Sequence, residues 1–86
     1  MTKIFFIYNG DERIDATSET MNGAQIKDAI KAMHPELDPT HELVLEGVGH
    51  HEDRVINDGD NVALAHGHGE GGPKHFFTRP PTNFGS

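Results

Sequence analysis

Apolar residues along this chain gather into short blocks separated by Gly, Asn, Asp and Pro. Lys3 to Tyr8 is rich in β-branched and aromatic residues and stops at Asn9-Gly10-Asp11, where Asn and Gly tolerate the positive φ of a tight turn. Arg13 to Thr17 can return as a second strand, with Ile14 and Ala16 on one face and Arg13 and Asp15 on the other. The first strand is apolar on both faces, Ile4/Phe6/Tyr8 and Phe5/Ile7. That pattern predicts a central strand with a second layer, or part of the C-terminal tail, over its outer side.

The next block opens as a helix. Asn22 fits an N-cap, Gln25 can reach back in a capping box, and Met21 and Ile26 are placed for a hydrophobic staple. Ile26, Ala29, Ile30 and Met33 then form one apolar stripe, with Lys27, Asp28 and Lys31 facing water. Pro35 disfavours the α conformation at His34, so the helix is expected to end there. Asp38-Pro39-Thr40 is a turn, and Glu42-Leu43-Val44-Leu45-Glu46 alternates as a strand with Leu43 and Leu45 on one face. A loop over 47–53 leads to a short extended piece, Arg54-Val55-Ile56, and Asn57-Asp58-Gly59-Asp60 turns the chain into Asn61 to Ala65, expected as the last strand. One amphipathic helix needs one sheet face to cover, so these elements suit an α+β fold: a twisted mixed sheet of four to five strands packed on one helix.

From His66 to Pro73 the sequence turns to Gly, His and Glu, which bury too little apolar area to order themselves. The expected organisation is a domain over 1–65, a flexible Gly/His-rich linker over 66–74 and an extended C-terminal tail over 75–86. The tail, His75-Phe76-Phe77-Thr78-Arg79-Pro80-Pro81-Thr82-Asn83-Phe84-Gly85-Ser86, holds three Phe in a Pro-containing segment. Two readings of its aromatics stand side by side. Phe76 and Phe77 either pack back on the first strand and belong to the fold, leaving about Thr82 to Ser86 free, or they are held out for a partner.

Size narrows the functions open to the chain. A domain of 86 residues buries only about 60–65% of the surface its unfolded form exposes, enough for one modest core but not a deep catalytic cavity. There is no Cys, which excludes a disulfide, a thiolate metal site and thiol catalysis. Lys3 precedes only a short apolar run, well under a membrane span and without a small-residue cleavage site, so a cytoplasmic location is expected. The net charge is −7, with five Lys/Arg against thirteen Asp/Glu in residues 1–65. Such a body argues against a nucleic-acid binder and suits one that meets basic surfaces on protein partners.

The seven His invite a metal reading at His50-His51-Glu52-Asp53 and His66-Gly67-His68, but nothing in the pattern fixes them in a tetrahedral set, and solvated loop histidines account for them better. Glu52/Asp53 and Asp58/Asp60 could do acid–base work, yet both lie at turns that favour Asp for backbone hydrogen bonding. Neither a cofactor nor a catalytic residue is therefore assigned, and the chain is read as not itself an enzyme. Val44, between Glu42 and Glu46, is a candidate centre for partner docking if its sheet face is open and a covered residue if the tail lies over it.

The order of elements resembles the ubiquitin-like β-grasp fold, an order shared by many unrelated functions. Tyr8-Asn9-Gly10, Asn22-Gly23-Ala24-Gln25-Ile26, Leu43 to Gly49, Asp58 to Leu64 and, above all, Phe76-Phe77-Thr78-Arg79-Pro80-Pro81-Thr82-Asn83-Phe84-Gly85 resemble the bacterial multiubiquitin-type domain family. Members of that family are ubiquitin-like modifiers encoded beside E1-like, E2-like and JAB-type peptidase genes in operons associated with antiphage defence. The resemblance makes Gly85 the conjugating residue, adenylated with ATP by an E1, passed to an enzyme's cysteine and then to a target protein. Phe76, Phe77, Arg79, Pro80, Pro81, Asn83 and Phe84 become the residues by which partner enzymes recognise the tail.

Ser86 stands after the glycine, so a peptidase, for which the JAB-type enzyme is the natural candidate, must remove one residue before Gly85 has a free carboxylate. Gly71-Gly72 resembles ubiquitin's own ending, but Pro73 comes next and makes the bond a poor peptidase substrate, which favours Gly85. A glycine suits the site because without a Cβ it threads a narrow channel and leaves its carbonyl open to attack. Two alternatives remain at this point: a β-grasp sulfur carrier with a C-terminal thiocarboxylate, and a non-covalent interaction module whose tail docks as an extended peptide.

Overall fold

The computed structural model describes residues 4–47, 49–64 and 73–81. Among them the chain runs β1 (Phe5–Tyr8), β2 (Glu12–Asp15), β3 (Thr20–Asn22), α1 (Gly23–Met33), β4 (Glu42–Leu45), β5 (Arg54–Ile56), β6 (Asn61–Ala63) and β7 (His75–Arg79). β1 and β2 form the expected hairpin, turned by Asn9 at φ 53° and Gly10 at φ 91°, the left-handed region those two residue types tolerate.

The helix starts as its sequence dictates. Asn22 accepts from the Gln25 amide at 2.8 Å and the Gln25 side chain accepts from the Asn22 amide at 2.9 Å, a complete capping box. The 57–60 turn supports the same end, with the Asp60 and Asp58 carbonyls accepting from the Gly23 and Ala24 amides. Gly23 must be glycine here, because a Cβ would stand 2.2 Å from the Asn57 carbonyl oxygen. α1 ends at His34, whose amide donates to the Ile30 carbonyl.

One departure governs the rest of the structure. The five-stranded sheet has the order β2-β1-β7-β4-β5, so His75–Arg79 is its middle strand, parallel to β1 and antiparallel to β4. The expected domain of residues 1–65 with a tail from residue 75 is therefore corrected: the sheet closes only when the segment after the Gly/His-rich stretch inserts between β1 and β4. β1 is apolar on both faces because it is an interior strand, and β7 lies beside it in the sheet rather than over it. Asn61–Ala63, expected as the last strand of the main sheet, pairs instead with β3 in a separate two-stranded sheet. Of the proposed linker, 66–72 lies outside the described residues, while the Lys74 carbonyl already accepts from the Ile7 amide.

This is an α+β fold with one helix packed on a mixed five-stranded sheet. Between the layers lie Phe6 and Tyr8 from β1, Ile14 from β2, Ile26 and Ile30 from α1, Leu43, Ile56 and Phe76. Phe6 and Phe76 meet edge to face at 5.4 Å between ring centroids, and both are fully buried. Met33, expected on the core stripe, is instead 57% exposed, lining a groove beside β2 rather than entering the core.

Candidate functional site

The position of β7 fixes where the chain leaves the body. Side chains alternate along it, so Phe76 and Thr78 face the helix while His75, Phe77 and Arg79 face the opposite side of the sheet. Two contacts hold its C-terminal half. The Tyr8 hydroxyl lies 2.7 Å from the Thr78 hydroxyl, and the Arg79 Nε donates to the Glu42 carboxylate at 3.0 Å across the β4–β7 ladder. Pro80 and Pro81 come next, both exposed.

The helix end is tied to the same place. His34 Nε2 lies 2.6 Å from Glu12 Oε1, its Nδ1 lies 3.3 Å from Glu36 Oε2, and its ring tilts against Tyr8 at 5.4 Å. The hydrogen bond to Glu12 is the main cause of a His34 pKa raised above the ordinary imidazole value, with Glu36 adding to it and desolvation opposing it. Tyr8 thus sits between His34 on one side and Thr78 on the other. At the far end of the β4 connection, Asp38 is held below the usual carboxylate range by the amide and hydroxyl of Thr40.

The face of the sheet away from the helix carries Phe5 and Ile7 of β1, Phe77 of β7, Val44 of β4 and Val55 of β5, side by side in register. Val44, expected as a possible docking centre, is only 1% exposed, enclosed in the middle of this stripe with Phe77 and Val55 directly opposite it. The partly exposed apolar residues of the face are its neighbours, rimmed by Arg13, Asp15, His75, Arg79 and Glu42. The Arg13 guanidinium stands 4.0 Å over the Phe5 ring.

Of the residues assigned to tail recognition, Phe76 is a core residue and is removed from that role, as its burial leaves nothing for a partner to touch. Phe77 and Arg79 are partly exposed on the outer face, and Pro80 and Pro81 are open. Asn83, Phe84, Gly85 and Ser86 lie outside the described residues. The two readings of the aromatics resolve accordingly: Phe76 and Phe77 belong to the fold, as a strand in the sheet. What sequence reasoning missed is the role of Thr78 and Arg79 in anchoring the exit. The alternation of Phe76 and Thr78 against Phe77 and Arg79 was the available signal.

Turn chemistry accounts for two of the paired carboxylates, since Asp53 accepts from the Gly47 amide and Asp60 from the Asn57 amide. Among the described residues no group of three or more His, Cys, Asp or Glu is placed to hold a metal ion, and no helix is long and apolar enough to cross a membrane. Comparison with protein-family models, with curated proteins and with solved structures finds no match.

Proposed function

We propose that this chain is a ubiquitin-like protein modifier with a β-grasp fold, joined to target proteins through Gly85 after removal of Ser86. The observation that carries the reading is the closing strand. A helix packed on a mixed sheet whose last strand lies between β1 and β4 delivers the C-terminal residues from the middle of the sheet, past two exposed prolines. That arrangement gives a stable body and a stiffened exit, and it suits a protein whose end is worked on by others.

The chemistry is supplied by partners. A JAB-type peptidase hydrolyses the Gly85–Ser86 bond and frees the Gly85 carboxylate. An E1-like enzyme then joins that carboxylate to the α-phosphorus of ATP, releasing pyrophosphate. An enzyme cysteine displaces AMP to form a thioester, and a target amine or hydroxyl, with an E2-like enzyme, displaces the thiol. This chain contributes the acyl group and its presentation, and is not itself an enzyme. The setting in bacterial antiphage defence comes from the family resemblance, whose most specific part is Phe76 to Gly85, and the cytoplasmic setting from the short apolar run after Lys3.

Mass spectrometry of the protein incubated with an E1-like enzyme, ATP and a JAB-type peptidase tests this. Loss of Ser86 followed by a covalent adduct is expected. Adduct formation that survives Gly85→Ala would remove Gly85 from the role, and gain of one sulfur in place of oxygen would make the chain a sulfur carrier.

A further inference from the structure

β2 is an outer strand of the sheet, with β1 on one side and no described strand on the other. The direction of its backbone groups is set by the hairpin. The Ala16 amide donates to the Ile4 carbonyl, so Ala16, Ile14 and Glu12 turn their amides and carbonyls toward β1. Arg13 and Asp15 consequently turn theirs outward. Their side chains lie on the sheet face away from the helix, more than half exposed, 3.5 Å from one another.

The same edge borders an open, mainly apolar groove between β2 and α1, lined by Ile14, Thr17, Ala29, Ala32 and Met33, with Arg13 and Asp15 at its β2 rim. Met33 is the exposed large hydrophobic residue among the described ones. An edge of free backbone groups above an apolar trough is completed by another extended strand.

The sequence of β2 selects which strand. In an antiparallel pair about a two-fold axis, the outward groups of one copy must meet the outward groups of the other, which allows three registers. Arg13 can face Arg13, Asp15 can face Asp15, or Arg13 can face Asp15. The first two oppose like charges. The third, centred on Ile14, sets Arg13 against Asp15 twice, forms hydrogen-bonded pairs at both positions, and brings Ile14 opposite its own copy on the groove side. β5, the other outer strand, offers no such match, since pairing about Val55 sets Arg54 against Ile56.

We infer that β2 is a self-complementary interface through which two copies of this chain pair, extending the sheet across a two-fold axis at Ile14. The intrachain Arg13–Asp15 pair is then exchanged for two intermolecular pairs. The two β2–α1 grooves come together beneath the seam and cover Met33. With four residues per strand, the association is weak and reversible, on the scale of a transient interface.

Sedimentation velocity on the full chain over a dilution series tests this. The unmodified protein dimerises as concentration rises. Arg13→Glu and Asp15→Arg, each of which places like charges across the seam, raise the dissociation constant about tenfold or more. An equimolar mixture of the two variants forms a heterodimer, because Glu at position 13 then faces Arg at position 15 and Asp15 faces Arg13. The double variant Arg13→Asp/Asp15→Arg dimerises again by itself. Circular dichroism confirms that the variants fold, and no misfolding accounts for a dimer regained on mixing. A protein that stays monomeric at about 1 mM overturns the inference. So does a dimer indifferent to both single changes, which would assign the groove to another segment.

Discussion

Phe76→Ala separates a strand from a tail. Were residues 75–86 appended to a finished domain, shortening this side chain would leave stability untouched. In the structure Phe76 is fully buried, meets Phe6 edge to face at 5.4 Å and sits where β7 is flanked by β1 and β4. A Phe-to-Ala change at such a site costs about 3–5 kcal/mol, the lost transfer free energy together with the cavity left behind. Proteins carry roughly 0.05–0.15 kcal/mol of stability per residue, so this chain has about 4–13 kcal/mol in total and the variant loses a large share of it.

The assay is urea unfolding followed by far-ultraviolet circular dichroism, since the chain has no Trp and a single Tyr. Phe77→Ala, on the partly exposed outer face, is the control and loses less, about 1–2 kcal/mol. The double variant with Phe6→Ala closes a cycle whose coupling should reach about 0.5–1.5 kcal/mol for an edge-to-face pair. A Phe76→Ala midpoint within about 0.5 kcal/mol of the parent, a shift typical of surface changes, would refute the placement of β7.

Three further outcomes test the joints around this strand. Asn22→Ala removes the side-chain half of the capping box and should cost about 0.5–2 kcal/mol in the same unfolding assay; no loss would mean the turn at 57–60 alone holds the helix start. Gly23→Ala should cost about 1–3 kcal/mol despite a better helix former, because the new methyl meets the Asn57 backbone; a stabilised variant would contradict the close approach. The raised pKa of His34 means its pairing with Glu12 stabilises the fold fully below the unfolded value near 6.5, and that contribution fades as pH rises through the folded value. An NMR titration of the His34 ring should move back toward 6.5 in Glu12→Gln, and an unchanged titration would place the cause elsewhere.

What could be read from the sequence was what neighbours in the chain decide. The Asn9-Gly10 turn, the Asn22/Gln25 cap and the helix end before Pro35 each depend on residues within four positions of one another, and each stands where expected. The place of His75–Arg79 depends on partners about seventy and about thirty-five residues away, Tyr8 and Leu43. The Pro-Pro pair next to it fits an extended tail outside the domain, whereas in the structure those prolines mark where the strand stops. β1 held the better clue. A strand apolar on both faces belongs inside a sheet, and the hairpin with β2 provides only one of the two neighbours that an interior strand requires. Thr20–Asn22 escaped notice because three residues with one buried side chain, Met21, give no period to detect.

The closing strand also sets limits on any partner that handles the C-terminus. β4 pairs with the strand through Arg79 and β1 pairs with it through Phe76, and the Tyr8–Thr78 and Glu42–Arg79 contacts hold its last residues, so the residues beyond Arg79 are the ones free to enter another protein's site. From Pro81 to Gly85 is four peptide units, at most about 14 Å. A partner that holds Gly85 must then also come close to the body, where the β1–β2 turn, Glu42 and the outer face lie nearest the exit. Inserting a Gly-Ser spacer of about five residues after Pro81 should therefore leave the urea midpoint unchanged while slowing adduct formation in the mass-spectrometric assay, since it adds tail freedom without altering the terminal residues. An unchanged rate would mean that the partner reads the last residues alone and that the body serves only to keep them apart from other chains.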